Sequence, residues 1–171
     1  MIYSPAEDSY LMAEVLGIKL ESKGAKILDM GTGSGYIIES LKKWGFENLS
    51  GVDVNKEAVE LCRKKRLDVC YSDLFSSVDG KFDVIIFNPP YLPKDSREDD
   101  ESSLVTTGGE KGSEIINRFL SEARGHLSPD GKIFLLTSSL TSGIEWSGYK
   151  KKLVGEKKLF FEKLEMWELS L

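Results

Sequence analysis

With one histidine and two cysteines, the sequence has little from which to build a metal centre. Cys62 and Cys70 show no CxxC spacing and no histidine neighbour. Neither zinc nor a disulfide is therefore expected, and two reduced, semi-buried thiols are. His126 stands near a helix end before Ser128-Pro129-Asp130-Gly131, which suits a terminal helix residue better than a catalyst. No apolar run approaches the roughly 20 residues that span a bilayer. The opening Met1-Ile2-Tyr3-Ser4-Pro5 lacks the basic and apolar blocks of an export signal, so a soluble, cytoplasmic protein is expected. Positive charge is short as well. The 23 Lys and Arg against 28 Asp and Glu leave a formal charge of -5, the wrong sign for general duplex binding. The basic clusters Arg63-Lys64-Lys65-Arg66 and Lys150-Lys151-Lys152 read as helix ends, where cations meet the negative end of the helix dipole. Trp44, Trp146 and Trp167 read as packing residues rather than a base-stacking platform.

What is present is an alternation. The 171 residues suit a single domain, residues 1–171, able to bury a core without covalent staples. An apolar stripe of Tyr10, Leu11, Ala13, Val15 and Leu16 predicts a helix from Pro5 to about Leu20. Short apolar runs follow at Ala25 to Met30, Leu49 to Val54, Asp68 to Ser72, Phe82 to Phe87 and Lys132 to Thr137, and read as strands. Helical patterns lie between them at Gly35 to Trp44, Asn55 to Lys65 and Ser113 to His126. Such an order predicts a doubly wound α/β domain with a mostly parallel sheet covered on both faces. Leu159 to Leu171 reads as two short extended segments, a terminal antiparallel hairpin. Leu92 to Gly112 carries no pattern, and its position after a candidate reaction centre marks it as a substrate-binding loop or lid.

Ile27-Leu28-Asp29-Met30-Gly31-Thr32-Gly33-Ser34-Gly35 is a buried strand, an acid and a glycine turn before a helix. The place is the ligand crevice of an open α/β sheet. A dinucleotide fingerprint needs glycine where Tyr36 or Ile38 stands, and a phosphate loop needs Gly-Lys-Ser/Thr, so both patterns fail. Asp29 would repel a pyrophosphate and attract a cation. S-adenosylmethionine, with its sulfonium and ammonium, fits: Asp29 faces the methionine part while Gly31 and Gly33 make room. Asp53, about twenty residues on, can accept both ribose hydroxyls. Asp73 after the third strand can accept from the adenine amino group, with Leu74 against the ring. Each acid alone is explicable as a cap; three at successive strand ends are harder to explain so.

Asn88-Pro89-Pro90-Tyr91 ends the strand Asp83-Val84-Ile85-Ile86-Phe87. Two prolines stiffen the backbone and leave its carbonyls without local amide partners. A planar amide or amine nitrogen is a poor nucleophile and must be held by its N–H groups. The Asn88 side-chain oxygen and the Pro89 carbonyl can accept them while Tyr91 packs on the planar group. This chemistry requires neither a metal nor a strong base.

With these motifs in place, the sequence resembles the release-factor glutamine N5-methyltransferases, the HemK-like family, over nearly the whole chain. Tyr3-Ser4-Pro5-Ala6-Glu7-Asp8-Ser9 and Gly108-Gly109-Glu110-Lys111-Gly112 are similar to its short archaeal and eukaryotic branch. The resemblance implies a fold of the class I S-adenosylmethionine-dependent methyltransferase type. It also implies cofactor contacts at Ser9, Asp29, Gly31, Asp53, Asp73, Leu74 and Asn88, with Gly33 and Gly35 completing the glycine turn. By the same resemblance the substrate is the glutamine of the Gly-Gly-Gln loop in a class I translation release factor, and a small zinc-binding activator subunit forms a heterodimer with the enzyme. Adenine-N6 methylation of DNA or RNA is the nearest alternative, because an exocyclic amine presents the same donors; no basic channel for an extruded base is evident. Cofactor binding without catalysis is disfavoured by intact Asn88 and Tyr91. Lysine methylation is disfavoured for want of a base.

Overall fold

The computed structural model describes residues 2–92, 109–146 and 148–171. Its elements are α1 (Glu7–Lys19), β1 (Ile27–Met30), α2 (Tyr36–Lys43), β2 (Leu49–Asp53), α3 (Lys56–Lys64), β3 (Val69–Tyr71), β4 (Phe82–Phe87), α4 (Glu114–Ala123), β5 (Leu127–Ser138), β6 (Lys150–Lys158) and β7 (Lys163–Ser170). A 3-10 turn, Arg124–His126, tightens the end of α4, so the helix expected through His126 is shorter by one turn. Most of the Leu92 to Gly112 stretch lies outside the described residues.

The strands form one sheet in the order β3-β2-β1-β4-β5-β7-β6. β1 is buried at all four of its residues, as a parallel strand covered on both faces must be. Alternate side chains of β4 and β5 feed opposite faces. Ile85, Ile133 and Leu135 pack with Ile116, Phe119 and Leu120 of α4. Ile86, Phe134 and Leu136 pack with Leu11, Met12 and Leu16 of α1 and with Leu41 of α2. Each such fully buried side chain stabilises the fold by roughly 1.5–3 kcal/mol. The order runs β1, β2, β3 to one side and β4, β5 to the other, so the order in which parallel strands are added reverses between β1 and β4. That reversal opens a crevice at their carboxyl ends.

Helix ends follow their chemistry. The Asn55 side chain caps α3 by accepting from the Glu57 backbone N–H at 3.0 Å, and Arg63 and Lys64 occupy its last turn. Lys65 then reaches back to Glu39 at 2.8 Å.

Four expectations need correction. Lys150-Lys151-Lys152 does not end a helix; it begins β6, an edge strand. The terminal hairpin is correspondingly longer than Leu159 to Leu171, because Leu159 to Glu162 forms its turn rather than its first strand. Five lysines in β6 hid the strand, since a strand at the sheet edge with little burial does not need apolar alternation. β5 begins at Leu127, not Lys132: Pro129 and Gly131 read as a break, but the register with β4 shifts between Phe82 and Val84, and proline is tolerated at such an irregularity. The cysteines also differ from the expected pair. Both are free, Cys62 fully buried and Cys70 exposed.

Candidate active site

The crevice is a cleft of about 770 Å³, within the size range of small-ligand sites. One wall is the glycine turn. Gly31, Gly33 and Gly35 all have positive φ, at 64°, 53° and 82°, conformations that side chains rarely adopt. At Gly31 a Cβ would stand 3.4 Å from the Phe87 ring. Gly35 does not line the cleft. It packs behind it, where a Cβ would come within 2.6 Å of Leu67 and 3.0 Å of the Cys62 sulfur.

Two acids support this turn. Asp29, 4% exposed, accepts from the Thr32 hydroxyl at 2.6 Å. Burial, reinforced by the nearby Asp53 charge and opposed by the Thr32 hydrogen bond, raises its pKa to about 7. Asp53 accepts the Gly33 N–H at 2.8 Å and the Asn55 N–H at 2.7 Å, one on each oxygen. Burial raises its pKa too, against those two bonds. Each Asp53 oxygen keeps further acceptor capacity. Cys62 lies behind the turn, its pKa pushed up to about 11, mainly by burial, so the thiol stays protonated near neutrality.

The far end is built by Ser72, whose hydroxyl donates to the Leu74 carbonyl at 2.6 Å and accepts the Ser77 N–H at 3.0 Å. This holds Leu74 at φ 47°, a strained value for leucine. Asp73 beside it pairs with Arg118 of α4 at 2.9 Å.

On the opposite side, Asn88, Pro89, Pro90 and Tyr91 leave β4 and line the same cleft. Asn88 Oδ1 is buried and is the only such side-chain atom among the described residues without a hydrogen-bond partner. Thr141 donates to the Tyr91 carbonyl at 2.8 Å. The Tyr91 hydroxyl donates to Asp8, 3.4 Å away, and Tyr3 donates to the same oxygen at 2.8 Å. The other oxygen of Asp8 accepts from the backbone and hydroxyl of Ser9 at 2.6 and 3.2 Å. Burial first, then the Asp8 charge, pushes both tyrosine pKa values up, so both hydroxyls remain donors.

Ser9, Asp29, Gly31, Gly33, Asp53, Asp73, Leu74 and the four motif residues thus face one cleft. Asp8, Tyr3 and Ser72 do too, and sequence reasoning passed over them. In the sequence Asp8 reads as a first-turn acid of α1; of its two tyrosine partners Tyr3 lies 5 residues away and Tyr91 lies 83, so only Tyr3 and the neighbouring Ser9 could have marked it. The buried acid Asp29 suits a cationic group, the paired acceptors of Asp53 suit a diol, and the unpartnered Asn88 oxygen suits an N–H donor. Fold and cleft define a class I S-adenosylmethionine-dependent methyltransferase.

Comparison with known proteins narrows this. Residues 7–144 match the family model for the methyltransferase small domain. A Methanocaldococcus jannaschii protein assigned as a protein N5-glutamine methyltransferase is 37% identical over 95% of this chain and 88% of its own length. A release factor glutamine methyltransferase of Lactococcus lactis is 30% identical over 77% of this chain, which spans only 54% of that longer protein. Among solved structures, the E. cuniculi Mtq2-Trm112 complex, responsible for methylation of the eRF1 translation termination factor, superposes with a TM-score of 0.79. The identity is 28%, over 99% of this chain and 98% of the matched one. The chain belongs to the methyltransferase small domain family, in its branch of protein glutamine N5-methyltransferases.

Proposed function

We propose that the protein, acting as a single domain in the cytoplasm, methylates the side-chain amide of the glutamine in the Gly-Gly-Gln motif of a translation release factor. The observation that carries this reading is the buried, unpartnered Asn88 Oδ1 beside the rigid Pro89-Pro90 backbone. An amide NH2 offers two donors, and Asn88 Oδ1 with the Pro89 carbonyl supplies two acceptors. Holding both N–H groups fixes the direction of the nitrogen lone pair, which is where a positioned reaction gains its rate. Tyr91, anchored through Asp8 and Thr141, packs against the planar amide. The motif residues are assigned the acceptor side.

Ser9, Asp29, Gly31, Gly33, Asp53, Asp73 and Leu74 are assigned to S-adenosylmethionine, which when bound supplies an electrophilic methyl on sulfonium. Asp29 would hold the ammonium, Asp53 the ribose hydroxyls and Asp73 the adenine amine. The nitrogen becomes acidic as it gains the methyl, so its proton can pass to solvent without a dedicated base. A small zinc-binding subunit as heterodimer partner completes the reading. The partner subunit in the E. cuniculi complex supports such an assembly, and the activity of that complex on eRF1 supports the release factor as substrate.

The test is methyl transfer from labelled cofactor, with and without the candidate partner, to a release factor, to its Gly-Gly-Asn variant and to adenine-containing oligonucleotides. Label on the native factor alone, lost with Asn88→Ala, is expected. Label on the oligonucleotides alone overturns the assignment in favour of adenine.

A further inference from the structure

Two aromatic side chains stand almost wholly in solvent, Phe160 at 93% and Phe161 at 85% exposed. They are the central residues of the β6–β7 turn, closed by the Leu159 N–H donating to the Glu162 carbonyl at 2.8 Å. Their rings meet edge to face with centroids 4.9 Å apart. Turn chemistry does not explain them, since tight turns favour Gly, Asn, Asp and Pro, and neither phenylalanine has a positive φ. Adjacent exposed aromatics mark an interaction site, because interface centres are enriched in them.

The position of the turn says which interaction. β5 runs parallel to β4 and ends at Ser138, and β7 starts opposite it, with Leu164 paired to Ser138. The turn therefore stands at the sheet edge from which Asn88 emerges. Glu162, directly after Phe161, accepts from the Ser138 hydroxyl, and its charge reaches the hydroxyls of both Tyr91 and Tyr3. Leu159 packs into the same apolar cluster as Tyr91. The aromatic pair is thus continuous with the acceptor side of the cleft.

We propose that Phe160 and Phe161 form a docking knob that enters an apolar depression on the protein substrate, next to the loop that presents the acceptor amide. This rests on the function proposed above. Charge favours a protein occupant over a membrane or nucleic acid. Of the three lysines flanking the turn, Lys157 pairs with Glu7 and Lys163 with Glu165 and Glu156; Lys158 is offset by Glu162 in the turn itself, so the surround is close to neutral rather than basic. The knob supplies affinity for the folded substrate while the cleft supplies the chemistry, which separates recognition of the protein from recognition of glutamine.

The experiment compares the wild type with the Phe160→Ser/Phe161→Ser double variant on the intact release factor and on a short Gly-Gly-Gln peptide, with the partner subunit present throughout. Both side chains are in solvent, so the melting temperature is expected to hold. On the intact factor KM should rise about 10- to 100-fold at unchanged kcat, the range for losing central interface anchors; on the peptide neither constant should move. Unchanged kinetics on the intact factor overturn the proposal. So do equal losses on factor and peptide, which would make the turn a brace for the cleft. Wild-type sedimentation with anionic phospholipid vesicles, lost in the variant while methylation persists, overturns it in favour of a membrane. A wild type that methylates the glutamine amide neither in the intact factor nor in the peptide overturns the proposed function itself, an outcome visible without the variant.

Discussion

Asn88→Ala takes from the floor of the cleft an oxygen that is buried and has no hydrogen-bond partner. A buried polar atom in that state costs the fold about 1–3 kcal/mol, and its removal recovers that much. Truncation to alanine also loses packing, a cost of about 1 kcal/mol for a side chain of this size. The net effect on the cofactor-free protein is between roughly 0 and 2 kcal/mol of added stability. For a chain of this length about 2–4 °C accompanies each kcal/mol, so the melting temperature should hold or rise by up to about 8 °C. Methyl transfer should behave oppositely. Loss of one preorganised hydrogen-bonding group costs about 10²- to 10³-fold in kcat. Calorimetric melting paired with initial rates on the release factor measures both. A fall of more than about 3 °C together with a rate within tenfold of wild type would refute the reasoning, because Asn88 would then be structural.

Asp29 predicts a pH dependence. Its pKa is raised by burial to about 7, so the stability associated with its protonated form is fully present below about pH 4 and is lost as pH rises through 7. A bound ammonium favours the carboxylate. S-adenosylmethionine affinity should therefore climb up to tenfold per pH unit below 7 and flatten above it, while Asp29→Asn binds weakly and without that slope; calorimetric titration from pH 6 to 8 decides. Gly35→Ala forces a Cβ against Leu67 and Cys62 at φ 82°, and urea unfolding should show a loss of about 2–4 kcal/mol. Cofactor affinity of the surviving folded fraction should stay within about threefold, and a larger drop would return Gly35 to the cleft wall. Asp8→Ala strands the Tyr3 and Tyr91 hydroxyls and the Ser9 donors. It should cost at least about 2 kcal/mol in the same assay, and a neutral result would dismiss the cluster as a surface arrangement.

The parallel half of the fold was legible because burial on both faces leaves little choice of residue. Phe82 to Phe87 was read to the residue, and β1 and β2 to within two. Legibility failed where burial stops constraining composition. β6, at the edge, is mostly lysine and reads like a charged helix end, and Pro129 within β5 is allowed by an irregular register that no local pattern announces. The cleft shows the same division. Asp29, Asp53 and Asn88 sit at strand ends, and strand ends are readable. Asp8 acts across the molecule on Tyr91, and Arg118 comes to Asp73 from α4; contacts made between elements far apart in sequence carry no spacing.

The sheet's two unpaired margins are guarded by different means. β3 offers a margin of three residues, too short to template another strand. β6 offers nine, five of them lysine with Lys157 tied to Glu7, so two copies approaching margin to margin would bring together chiefly the like charges of Lys150, Lys151 and Lys152. That guard weakens as salt is added, since the screening length shrinks to about 3 Å near 1 M. The lysines that obscured β6 in the sequence thus make concentrated salt, rather than heat or dilution, the condition under which one molecule would add its sheet to the next.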